Sequence, residues 1–170
     1  MKVFPGRYTA EIEGDFVVFL IGMRVNSIWQ ARKWLQPARA MPRMIRELSK
    51  NPELGFLGGE EFFRFAPLTS CLISYWRSFD HLERFARNPE NTHLPAWKAF
   101  NQLIGADGSV GIWHETYLVR AGEYETLYGN MPLFGLGKTG EHQPATGRRE
   151  TARRRMGGEN EPALPTPAAN

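Results

Sequence analysis

The chain has 170 residues, 42% of them hydrophobic and 12% aromatic, and carries a net charge of +3. That composition can fill a core, which excludes a chain disordered throughout and a collagen-like one. No run approaches ~18 consecutive apolar residues, which excludes a transmembrane helix, and the single cysteine, Cys71, excludes an intrachain disulfide or a thiolate metal cluster.

Tyr8 to Ile12 alternates weakly, and Glu13-Gly14-Asp15 supplies turn chemistry. Phe16 to Met23 is strand-like by its β-branched and aromatic content and is apolar on both faces. Trp34, Ala38, Met41, Ile45 and Leu48 then mark one stripe of a helix, which Pro42 should kink or restart. Leu54 to Phe65 and Thr69 to Arg77 read as a hairpin around Ala66-Pro67-Leu68. Ser78 is an N-cap candidate for a short helix burying Leu82, Phe85 and Ala86, which leaves His81 toward solvent. Thr92 can cap another helix with Trp97, Phe100, Leu103 and Ile104 buried. Asp107-Gly108 turns into a long strand, Val110 to Arg120, and Tyr124 to Tyr128 adds a short edge element.

The order β-α-β-β-α-β is that of an α+β, ferredoxin-like fold. Its helices cover only one sheet face, yet the first strand is apolar on both. A second copy of the chain is the simplest cover, and two facing sheets would enclose a barrel-like cavity, a dimeric α+β barrel. The folded domain is expected to end near residue 137. Beyond it only Met156 and Leu164 are large and apolar, so 138–170 is expected to be a disordered tail. The tail holds Arg148, Arg149, Arg153, Arg154 and Arg155, offset by Glu141, Glu150, Glu159 and Glu161. The remaining domain is nearly neutral, so no nucleic-acid partner is expected. No membrane partner is expected either. With no apolar leader in Met1-Lys2-Val3-Phe4-Pro5-Gly6, the expected location is cytoplasmic.

Several segments carry a family likeness: Gly6-Arg7-Tyr8-Thr9-Ala10, Phe16 to Arg24, His93-Leu94-Pro95-Ala96-Trp97, Val110-Gly111-Ile112-Trp113-His114-Glu115-Thr116-Tyr117, and Asn130-Met131-Pro132 with Gly135-Leu136-Gly137. They resemble a group of small bacterial and fungal proteins named for a monooxygenase of fumagillin biosynthesis. The resemblance spans about residues 3–137. It implies the dimeric α+β barrel superfamily, which also holds antibiotic-biosynthesis monooxygenases, haem enzymes and non-enzymes. It therefore implies a monooxygenase-like oxidoreductase of secondary metabolism, acting as a homodimer on a hydrophobic, cyclic metabolite.

The side chains offer two candidate bases. If Ile112, His114 and Thr116 face a cavity, the His114 imidazole can take a proton from an acidic phenol or enol. If Trp113, Glu115 and Tyr117 face it, Glu115 becomes the base and the two aromatics become binding surface. His93 at a helix start, Asn26 after the first strand, and Trp76 with Arg77 at a strand end are further substrate-binding candidates. Deprotonation followed by direct reduction of dioxygen needs no cofactor, and none is expected. A haem on the same scaffold would take His93 or His114 as axial ligand, and a non-catalytic ligand-binding or helper dimer is the third reading. No residue spacing suggests a metal site, and Cys71 reads as a buried small hydrophobe.

Overall fold

The computed structural model describes residues 1–89 and 93–159. Its contacts divide the chain into two units: Asp15–Val119, and Met1–Gly14 together with the chain from Arg120 onward.

The larger unit contains β2 (Phe16–Val25), α1 (Ala31–Lys50), β3 (Phe56–Phe65), β4 (Leu68–Trp76), α2 (Phe79–Arg87), α3 (His93–Ile104) and β5 (Val110–Val119). Its four antiparallel strands lie in the order β3-β4-β2-β5, so the first strand of the unit sits between the last two to form. This is the ferredoxin-like α+β arrangement read from the sequence. β2 is central, paired residue for residue with β4 and β5. Ser78 caps α2 as expected, its Oγ accepting from the His81 amide at 3.3 Å. Thr92, the expected cap of α3, lies outside the described residues.

Two expectations about this unit need correction. α1 runs unbroken through Pro37 and Pro42. Each proline removes one backbone donor, a local cost of about 3 kcal/mol, but the apolar stripe continues past Pro42 to Leu48, which is 4% exposed in the core. His81 is half-buried rather than solvent-facing. Its Nδ1 is 2.7 Å from the Ser78 Oγ, and its ring lies where a Cβ on Gly55 would stand, at 2.5 Å. Gly55 has φ 78° as well, so that turn requires glycine on two counts.

Two clusters pack the helices onto one face of the sheet. Val17, Leu48, Trp76, Leu82 and Phe85 form one, with Phe19, Leu54 and Phe56 against it. Phe100, Ile104 and Val110 form the other, with Met23, Trp34, Trp97 and Ile112 against it. At the end of the unit where α1 begins, Lys33 pairs with Asp107 at 2.6 Å. Asp107 also accepts from the Ser109 hydroxyl and amide, and the Asn26 and Ser27 amides both reach the Ser109 carbonyl.

The smaller unit is a three-stranded sheet, β6-β1-β7, of β1 (Val3–Glu11), β6 (Tyr128–Pro132) and β7 (Glu141–Pro144). The short element expected over Tyr124 to Tyr128 is thus displaced to Tyr128–Pro132. Thr126 and Tyr124 are used instead as side-chain partners of β1, through the Ala10 and Ile12 amides. Asn130 takes a left-handed φ of 51° and accepts from the Gly6 amide beside the irregularity in β1.

Residues 138–159 correct the expectation of a structureless tail. β7 pairs with β1 from Glu11↔Glu141 to Tyr8↔Pro144, and a helical turn follows at Ala152–Arg155. Arg149 holds Glu11 through two bonds of 2.5 and 3.1 Å. Arg155 holds Glu125 through two of 2.8 and 2.6 Å and donates to the Arg149 and Glu150 carbonyls. Forked guanidinium bonds and main-chain pairing do here what apolar burial does elsewhere. Residues 160–170 lie outside the described part.

Candidate functional site on the last strand

Strand pairing decides which side each candidate faces, because directly paired residues share a face. Ile112 pairs with Met23, His114 with Ile21 and Thr116 with Phe19. Met23 and Phe19 belong to the helix-packed clusters. His114 therefore projects from the helix side of the sheet and not, as expected, into the cavity that two facing sheets would enclose; that face carries Trp113, Glu115 and Tyr117. His114 stands between the two clusters, where Ile21, His114 and Thr116 belong to neither. Its ring lies 5.8 Å from that of Phe19, tilted by 41°. His114 is exposed and meets no hydrogen-bond partner among the described residues. An imidazole thus stands in a largely apolar surround with its nitrogens available, which suits abstraction of a proton from a weakly acidic organic molecule.

The other face carries Trp113, Glu115 and Tyr117. The Trp113 indole lies against Gly22, where a Cβ would come within 2.4 Å of its Nε1. Tyr117 Oη donates to Glu115 Oε2 at 2.5 Å. That bond, and then the carboxylate's charge, raise the Tyr117 phenol above its ordinary value. The same hydroxyl occupies an acceptor site on Glu115. Cys71 shares this face and is half-buried, its thiol pushed up first by burial and then by Glu115.

The remaining candidates disperse. Trp76 is 2% exposed; its Nε1 donates to Ser74 Oγ at 3.0 Å, which in turn donates to the Phe19 carbonyl. It packs against Phe56 and Phe85 and is core rather than binding surface. Arg77 is exposed just past β4, and its amide donates to the Gly55 carbonyl. Asn26 donates to the Gly108 carbonyl at 2.9 Å and ties the β5 turn to the end of β2. His93 opens α3 as expected. A groove of about 590 Å³ follows α1, with Arg32, Arg39, Arg43 and Leu35 on its wall; none of the site candidates lines it.

The sequence reading missed His142. Placed in the tail, it is in fact stacked on Tyr8 at 4.6 Å and 7° and edge-on to Phe4 at 4.9 Å. Its Nε2 is buried with no partner among the described residues. No apolar residue in β7 itself pointed to it.

The family model described as Monooxygenase af470-like matches residues 16–136. The curated protein Monooxygenase af470 of Aspergillus fumigatus is 26% identical over 163 residues, covering 80% of this chain. The chain spans 54% of that relative's length. Among solved structures, the aldoxime dehydratase OxdRE in complex with butyraldoxime matches with a TM-score of 0.65 at 17% identity, over 81% of this chain and 41% of that one. SnoaB, a cofactor-independent oxygenase from Streptomyces nogalater, matches with a TM-score of 0.43 at 20% identity, over 62% of this chain and 94% of its own. The dehydratase likeness establishes the fold.

Proposed function

Since this chain belongs to the Monooxygenase af470-like family, we propose that it is a small oxygenase whose base is His114. The observation that carries the assignment is an exposed imidazole on the helix side of β5, between two packed clusters and beside Phe19. The substrate is a hydrophobic, cyclic molecule with an acidic phenol or enol. His114 takes the proton, the resulting anion gives electrons to dioxygen and forms a C–O bond with it, and loss of the second oxygen as water, with the proton His114 returns, leaves the oxidised product; Phe19, Ile21 and Ile112 line the ring. Thr116, next on the same face, is placed to hydrogen-bond the developing oxyanion.

The functional form is a homodimer. The face opposite the helices carries Trp113 and Tyr117, 37% and 51% exposed, together with Leu20 and Val18, and a second copy covers it. This reading is supported by the apolar content of a face that no helix of the larger unit packs.

The test pairs His114→Phe with Glu115→Gln, assayed on phenolic polycycles by oxygen uptake. The first should abolish turnover in a folded protein, and the second should leave it nearly intact. The reverse pattern would move the base to the other face. A Soret band in purified protein that disappears in His114→Phe would replace the reading with haem ligation.

A further inference from the structure

One surface has no part in the site above. On α1, Arg32, Arg39, Arg43, Arg46 and Lys50 fall within about 60° of the helix circumference and span roughly 27 Å along it. All five are exposed. Among the described residues no carboxylate pairs with any of the four arginines, whereas Lys33, on another side, is neutralised by Asp107. Glu47 borders the row and is the only acidic residue in the helix.

Immediately before α1 stand Ile28 and Trp29, 62% and 90% exposed. Their exposure is not that of a loose loop. The Ile28 carbonyl accepts from the Trp34 indole, the Gln30 amide reaches the Ser27 carbonyl, and the Ser27 amide reaches the Ser109 carbonyl. A fixed turn thus presents two large apolar side chains at the N-terminal end of a row of cations.

We propose that this surface docks the protein onto a membrane leaflet carrying anionic lipids. Cations in a diffuse row match mobile headgroups, which need no fixed register. Tryptophan is suited to the headgroup boundary, where its ring is apolar and its N–H stays wet. The opposite side of α1 is engaged through Trp34 and Leu48 in the core, so the helix lies on the surface and only the Ile28-Trp29 turn enters it. Among the described residues no helix is long and apolar enough to cross a membrane, and adsorption through this surface needs none.

The experiment is sedimentation of the full chain with phosphatidylcholine vesicles, pure or with 30% phosphatidylserine, in about 0.1 M salt. The protein should sediment with the anionic vesicles and not with the neutral ones. Arg39→Gln/Arg43→Gln should lower partitioning about 30-fold, from about 1 kcal/mol for each cation near an anionic leaflet. A blue shift of tryptophan emission on vesicle binding should vanish in Trp29→Phe. Arg148→Gln/Arg153→Gln, which removes two exposed cations of the C-terminal segment, should bind as the parent does. Equal binding to both vesicles, no binding, or loss only in the C-terminal variant would overturn the proposal. Retention on poly-L-glutamate without vesicle binding would assign the surface to an acidic protein. Loss of a dimer in the α1 variant would assign it to a second copy. Oxygen uptake is not part of this measurement, so the two proposals fail separately.

Discussion

On the helix side of the sheet, Ile21 and His114 lie between two packed clusters, beside Phe19 of the first, and His114 keeps its nitrogens unengaged among the described residues. On the opposite side, Trp113 rests on Gly22, and Glu115 and Tyr117 satisfy each other. Both faces are rich in apolar surface. They differ in what fixes the polar groups: packing by neighbours in the first case, a mutual hydrogen bond in the second. A group held only by packing stays open to a substrate, whereas Glu115 must first release Tyr117. The proposed base thus lies on the face where fewer polar contacts are made.

The sharpest way to break this contrast is kinetic. His114→Phe should lose about 10²–10⁴-fold in kcat while melting close to the parent, since an exposed imidazole leaves no buried partner stranded. Melting and turnover measured on one preparation separate catalysis from packing.

The next test exchanges one tryptophan for another. Trp76→Ala should cost about 3–5 kcal/mol of stability, the range for emptying an aromatic site in a core, read by denaturant unfolding. Trp113→Ala, on the face proposed for the second copy, should act mainly on dimerisation, read by light scattering. A variant that stays dimeric and melts as the parent does would remove that face from the interface.

Much of this was legible beforehand. β-branched and aromatic content identified β2, and helical spacing identified α1, because its stripe is buried. The side on which His114 lies was not legible, because β2 is central and apolar on both faces and so gives no parity signal. Only the pairing of Ile21 with His114 and the packing of Met23 and Phe19 under helices settled it. Trp76 was misread as binding surface because its neighbour Arg77 is polar, although the strand ends beneath α2. β7, Glu-His-Gln-Pro, has no hydrophobic pattern at all. It is held by main-chain bonds to β1 and, nearby, by the Arg149–Glu11 pair, neither of which composition records.

A finer test concerns Gly22. Gly22→Ala should cost about 1–3 kcal/mol, because the new methyl meets the Trp113 indole in a sheet that cannot shift. Adding Trp113→Ala should recover most of it. Failure to recover would place the strain in the backbone and not against the ring.

The smallest effect is electrostatic. The Asp107 carboxyl is held well below the usual carboxylate range, first by its bond to Lys33 and then by the Ser109 hydroxyl and amide. The folded protein binds this proton less readily than the unfolded chain does. The stabilisation is therefore complete above the ordinary carboxylate pKa of about 4 and is lost as pH falls below it. Asp107→Asn should lower the neutral plateau slightly and so flatten the acid limb, because the variant already lacks what protonation removes. An unaltered acid limb would show that the clip between α1 and the β5 turn contributes nothing measurable.

The stacking of His142 on Tyr8, with Phe4 edge-on, has a spectroscopic consequence. Protons on an imidazole held parallel to one ring and beside another sit in strong local ring currents. Their resonances should lie well away from those of the other histidines in a proton spectrum. Detachment of β7 from β1 would return them to ordinary positions, so a single resolved line would report whether the C-terminal segment is seated.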